Sequence, residues 1–154
     1  MSSFFFGLFG VDWEAVDEKI EKLYPAVSSI STDELAQEIQ SASPPIVIDV
    51  REPAEFAVSH LSAAKNLETS VDIAARFLDK QAPIVVYCSV GYRSAAELEL
   101  MGYSNVRNLH RSIFEWAEKG YQLRNANGVT AKIHPYNLAW GALVSEDLHA
   151  YSPE

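Results

Sequence analysis

Only one cysteine, Cys88, occurs among the 154 residues. No intrachain disulfide is therefore possible, and nothing in the fold depends on an oxidising compartment. A lone thiol also makes a thiolate metal site improbable, and no His/Cys/Asp cluster has zinc spacing. Basic residues are scarce, twelve Lys and Arg against twenty-one Asp and Glu, for a net charge of −9. That balance argues against nucleic acid or an anionic membrane as the main partner. No apolar run approaches the roughly 20 residues of a transmembrane segment. The first ten residues carry Phe4, Phe5, Phe6, Leu8 and Phe9 but no lysine or arginine, so they lack the basic start of a secretory signal. They are expected to be an ordered segment packed on the body, with a docking peptide for a partner or membrane surface as the alternative. Glycine-rich phosphate loops of the dinucleotide or Walker type are absent, as are repeats and low-complexity stretches. The expectation is a cytoplasmic protein that needs no cofactor and no metal.

What is present suits one well-buried domain: 48% apolar and 21% charged residues. Trp13, Val16, Ile20, Leu23 and Val27 recur at spacings of three and four, with acids and lysines between them. This predicts an amphipathic helix over 11–24, ended by Pro25. From Ile30 onward, short apolar runs alternate with helical stretches. Ser31 or Thr32 caps a helix to about Gln40, and Ser43-Pro44-Pro45 breaks it. Ile46 to Val50 and Pro83 to Tyr87 read as buried strands, and Val106 to Leu109 as a short one. Helices are predicted over 71–80, with Ile73, Ala74, Phe77 and Leu78 on one side, and over 94–101 and 113–119, the last stopped by Gly120. Repeated strand–helix units predict an α/β domain with a mainly parallel sheet covered on both faces. Sites in such sheets lie beyond the strand C-termini, where Asp49 and Cys88 both fall. The tail after Asn127-Gly128 keeps Ile133, Leu138, Trp140, Leu143, Val144 and Leu148. It is expected to pack on the domain or on a second copy.

Cys88 closes the apolar run Ile84-Val85-Val86-Tyr87 and is followed by Ser89-Val90-Gly91-Tyr92-Arg93-Ser94 and a helical stretch. A strand, a tight loop and a helix start are what a reactive thiolate needs. Loop N–H groups and the helix N-terminus favour negative charge there, and Arg93 adds a positive charge at the rim. Asp49 and Arg51 read as supporting residues, since a carboxylate at a buried strand end is more often an ion-pair anchor than a base. His60 is expected to orient a turn through Glu52 or Glu55. Arg111 adds positive potential to the pocket or is a solvated surface arginine.

These motifs together resemble the single-domain rhodanese (sulfurtransferase) family. Asp49-Val50-Arg51-Glu52-Pro53-Ala54-Glu55-Phe56 with His60 is similar to its first signature, with Ser59 in place of the usual glycine. Cys88-Ser89-Val90-Gly91-Tyr92-Arg93-Ser94 is similar to its active-site loop. Asn108 to Trp116 resembles a third stretch in which glycines usually stand where this chain has His110, Arg111 and Ser112. The resemblance implies a rhodanese-like five-stranded sheet over 30–124, flanked by an N-terminal extension over 1–29 and a C-terminal one over 125–154. It implies that Cys88 is catalytic, accepting a sulfane sulfur as a persulfide. Ser89, Val90, Gly91, Tyr92, Arg93 and Ser94 would bind a small anionic donor such as thiosulfate or a persulfide. A protein could be the sulfur acceptor. Two other readings remain open: a non-catalytic interaction module of the same fold, and a phosphatase or arsenate reductase. The second is disfavoured because those enzymes place five residues between cysteine and arginine, where this chain has four.

Overall fold

A computed structural model describes residues 12–88 and 93–154, with the side chains of residues 93, 138 and 139 left out. The Phe-rich start and the loop Ser89 to Tyr92 lie outside the described residues. Helix α1, Trp13–Leu23, begins where the Asp12 carboxylate accepts the Ala15 N–H at 2.8 Å, and Val16 buries its inner face. Five parallel strands follow: β1 (Ser29–Ile30), β2 (Ile46–Asp49), β3 (Lys65–Asn66), β4 (Ile84–Tyr87) and β5 (Val106–Leu109). Their order is β1-β5-β4-β2-β3. Helices α2 (Thr32–Ile39), α3 (Pro53–Val58), α4 (Ser70–Arg76), α5 (Arg93–Leu100) and α6 (Ser112–Glu118) join them. None of the described helices is long and apolar enough to cross a membrane.

Alternation along the central strands builds two cores. Val47, Val85, Tyr87 and Leu109 face one side with Leu35, Ile113, Phe114 and Val16, whereas Ile48, Ile84, Val86 and Val106 face the other with Ile73, Ala95 and Leu98. A strand apolar on both faces has no solvent side, so β4 is buried along its whole length.

Local chemistry sets most boundaries. Ser31 and Glu34 form a reciprocal capping box at α2. Gly120, at φ +79°, ends α6 with the Tyr121 N–H returning to Trp116 O at 3.1 Å, a left-handed stop that glycine takes without strain. Helix α4 is shorter than its apolar pattern predicts. It stops at Arg76: Phe77 is extended, and its carbonyl accepts the Tyr103 hydroxyl. Leu78, expected on the buried side, is 81% exposed.

Beyond the sheet, β6 (Leu123–Asn125) and β7 (Gly128–Thr130) form a hairpin whose two-residue turn is Ala126-Asn127, one residue earlier than Asn127-Gly128 suggests. Arg124 and His60 exchange two backbone hydrogen bonds at 2.9 Å, which ties this hairpin to the chain after α3. Ile133, Trp140 (in α7, Leu138–Gly141), Leu143 and Val144 join the first core.

Candidate active site

Parallel strands β2, β4 and β5 end together, and their C-terminal ends carry the chemistry-bearing residues. Cys88 follows β4 directly and is half-buried. Five residues later the backbone enters α5 at Arg93, so Ser94 lies within the first helical turn. The side chain of Arg93, like Ser89, Val90, Gly91 and Tyr92, is outside the described residues.

One side of Cys88 is braced by a buried polar lattice. Asp49, fully buried, accepts Arg51 Nη2 at 2.7 Å, Nε at 3.0 and 3.1 Å, and the Arg51 N–H at 2.9 Å. The Arg51 guanidinium also donates to Ser59 O at 2.6 Å and lies 5.8 Å from the centre of the Tyr87 ring. Burial alone would lower the basicity of Arg51, but the Asp49 carboxylate outweighs it and raises it, so the guanidinium stays charged. Tyr87, also fully buried, accepts the Leu61 N–H at 3.1 Å. Burial, and then the charge of Asp49, pushes its phenol well above the ordinary value. Asn66 in β3 donates to the carbonyls of Asp49 and Arg51 at 3.0 and 2.9 Å. The ends of β2, β3 and β4 are thereby bolted into one rigid edge. His60 serves its turn through Leu61 O, at 2.8 Å, and by stacking on Phe56 at 3.9 Å, rather than through Glu52 or Glu55.

The other side is formed by the chain leaving β5. The β4–β5 register pairs Val86 with Asn108; continued by two residues, it sets Cys88 level with His110. Arg111 and Ser112 have φ of +59° and +52°, the left-handed conformation that glycine adopts freely. Each side chain held there costs about 1–2 kcal/mol. Arg111 is not a solvated arginine. Its guanidinium donates to Asp17 Oδ2 of α1 at 2.7 and 3.2 Å, approaches Glu115 at 3.6 Å and lies 5.4 Å from the centre of the Trp13 ring. His110 Nε2 stands 3.5 Å from the second oxygen of Asp17. The charge that Arg111 brings to this edge is matched by a helix from the N-terminal extension.

The C-terminal extension contributes His134, whose Nδ1 accepts the Tyr136 N–H at 3.0 Å and whose ring meets Tyr151 edge-on at 5.2 Å. Burial, and next the charge of Arg51, lower its basicity below the ordinary imidazole value of 6.5. The unfolded chain therefore binds a proton more readily than the folded one, and this group's contribution to stability is lost as pH falls through about 6.5. The melting temperature is expected to drop between pH 7.5 and 5.5, and His134→Asn, which keeps an acceptor near the Nδ1 position, to flatten that drop. Identical slopes for the two proteins would assign the dependence elsewhere. Among the described residues no group of three or more His, Cys, Asp or Glu could hold a metal ion.

A cysteine at the end of a central parallel strand, with a helix beginning five residues further on, places the chain in a class of α/β domains that carry a cysteine at this strand–helix junction. Within that class, this chain belongs to the rhodanese-like domain family, whose sequence model matches residues 31–119. A sulfurtransferase of Allochromatium vinosum is 31% identical over 98 residues, 61% of this chain and 92% of that protein. The thiosulfate sulfurtransferase GlpE of Pseudomonas fluorescens is 37% identical over 75 residues, 46% of this chain and 69% of that one. Among solved structures, a rhodanese-like domain protein from Staphylococcus aureus superposes with a TM-score of 0.53 at 25% identity, covering 64% of this chain and 98% of its own.

Proposed function

We propose that the protein is a sulfurtransferase in which Cys88 carries the sulfur. The observation that supports this most is the position of the only cysteine, half-buried rather than sealed in the core, at the end of the fully buried β4 and just ahead of α5. The sulfurtransferase of Allochromatium vinosum and the thiosulfate sulfurtransferase of Pseudomonas fluorescens point the same way by name. In this reading the Cys88 thiolate attacks the outer sulfur of thiosulfate. A Cys88 S–S bond forms, the bond between the two donor sulfurs breaks, and sulfite leaves with the electron pair. Cyanide or a thiolate then takes the terminal sulfur and returns the Cys88 thiolate. The N–H groups from Ser89 to Ser94 cradle the thiolate and then the persulfide, and Arg93 binds the donor's oxygens. Asp49 and Arg51 support the loop without touching the reacting atoms.

Four residues separate Cys88 from Arg93 in the sequence, one fewer than in the phosphatase loops, and this shorter spacing favours a single sulfur over a tetrahedral oxyanion. The proposed unit is the domain over 30–124, with the extensions 1–29 and 125–154 modifying it. It works in the cytoplasm, with a small donor or a persulfide-bearing protein as partner. The expected result is thiocyanate formation from thiosulfate and cyanide with parallel double-reciprocal lines, the signature of a ping-pong cycle. Intersecting lines, or phosphate ester hydrolysis in place of thiocyanate, would contradict the reading.

A further inference from the structure

Helix α1 lies outside the residues matched by the family model, yet it is joined to the edge beside Cys88 by charge. Asp17 gives one carboxylate oxygen to Arg111 at 2.7 Å and turns the other toward His110 at 3.5 Å. Trp13, one helical turn earlier, lies under the same guanidinium. Arg111 sits in a backbone conformation that a side chain of its size resists, and two carboxylates and an indole hold it there. Arg111 follows His110, which the β4–β5 register, carried past the ends of both strands, sets level with Cys88, and the backbones of neighbouring parallel strands run about 4.8 Å apart. A guanidinium carried on this edge acts on an anion at Cys88 over a distance comparable to the screening length of about 8 Å. Asp17 decides whether that charge is felt.

We infer that Asp17 is a specificity-determining residue for the reaction proposed above. By neutralising Arg111 it weakens the attraction of the Cys88 site for dianionic donors and favours donors of lower charge. Asp17 touches neither donor nor cysteine; it acts through Arg111. The inference rests on the sulfurtransferase reading, and the two can fail separately.

The test compares dianionic thiosulfate with singly charged cysteine persulfide, using cyanide as acceptor in both cases. Asp17→Asn keeps an oxygen for Arg111 but removes the negative charge. It is expected to raise kcat/KM for thiosulfate about tenfold, mainly through KM, with a gain that shrinks as salt rises. For the persulfide the change should stay under about twofold. Arg111→Gln, which leaves Asp17 unmatched, should lower thiosulfate use and spare the persulfide, and it decides the matter if Asp17→Asn fails to fold. In the double variant the gain from Asp17→Asn should vanish. Equal changes for both donors, or no salt dependence, would overturn the inference and leave α1 as a packing element. Wild-type protein that takes sulfur from neither donor would overturn the sulfurtransferase reading, and this inference with it.

Discussion

Cys88→Ser is expected to lower sulfur transfer by at least about 10³-fold while leaving melting temperature and helical content near wild type. An alcohol at its ordinary pKa offers almost no anion at neutral pH, and oxygen is a poor nucleophile for sulfane sulfur. The fold has little stake in the thiol. Cys88 lies past the end of β4, and the buried lattice next to it runs through Asp49, Arg51, Tyr87 and Asn66. The replacement is nearly isosteric, so packing losses should be small. Residual activity within tenfold of wild type would place the chemistry on another group.

The second large effect falls on stability. Arg51→Ala is expected to cost about 3–5 kcal/mol, because it leaves the Asp49 carboxylate buried with its main partner gone. Asp49 is fully buried and the Arg51 side chain is only 1% exposed, so water cannot take the place of the guanidinium. The loss also frees Ser59 O and removes the cation beside Tyr87. Against a total stability of about 5–15 kcal/mol, such a change is a large fraction. Urea unfolding monitored by circular dichroism would measure it. A loss below about 1 kcal/mol, with an unchanged denaturant slope, would mean that the pair behaves as a solvent-exposed bridge.

The parts of the site that were legible in the sequence are those written in contiguous residues. Ile84 to Tyr87 forms an apolar run bounded by Pro83 and Cys88, a pattern that only a doubly covered strand satisfies, and β4 occupies it. Ile46 to Ile48 repeats the pattern in β2, whereas β5, Val106-Arg107-Asn108-Leu109, carries two polar residues between its apolar ends. Strands β1 and β3 are two residues each, too short to carry a period, and exist because β5 and β2 offer them a free edge. Helix α3 has six residues and starts at Pro53 after an extended Glu52; its one clear signal is that proline. The pairing of Asp17 with Arg111 joins residues 94 apart, and on the sequence Asp17 is one acid among several on the polar face of α1. Leu78 shows the opposite failure: its apolar spacing suggests burial, but the chain leaves the helix two residues earlier. The glycine-like backbone at Arg111 and Ser112 is not announced by those residues themselves, which rarely adopt it; its only sign is the glycines that the resembling family carries at these positions.

In the proposed reaction Cys88 becomes a persulfide, and the mass of the protein measures that directly. Wild-type protein mixed with thiosulfate and desalted is expected to gain the mass of one sulfur atom, to lose it on adding cyanide, and to resist alkylation at the parent thiol meanwhile. Cys88→Ser should gain nothing. A wild-type mass unchanged by thiosulfate and by several persulfide donors would contradict the account and turn the reading to a non-catalytic binding module.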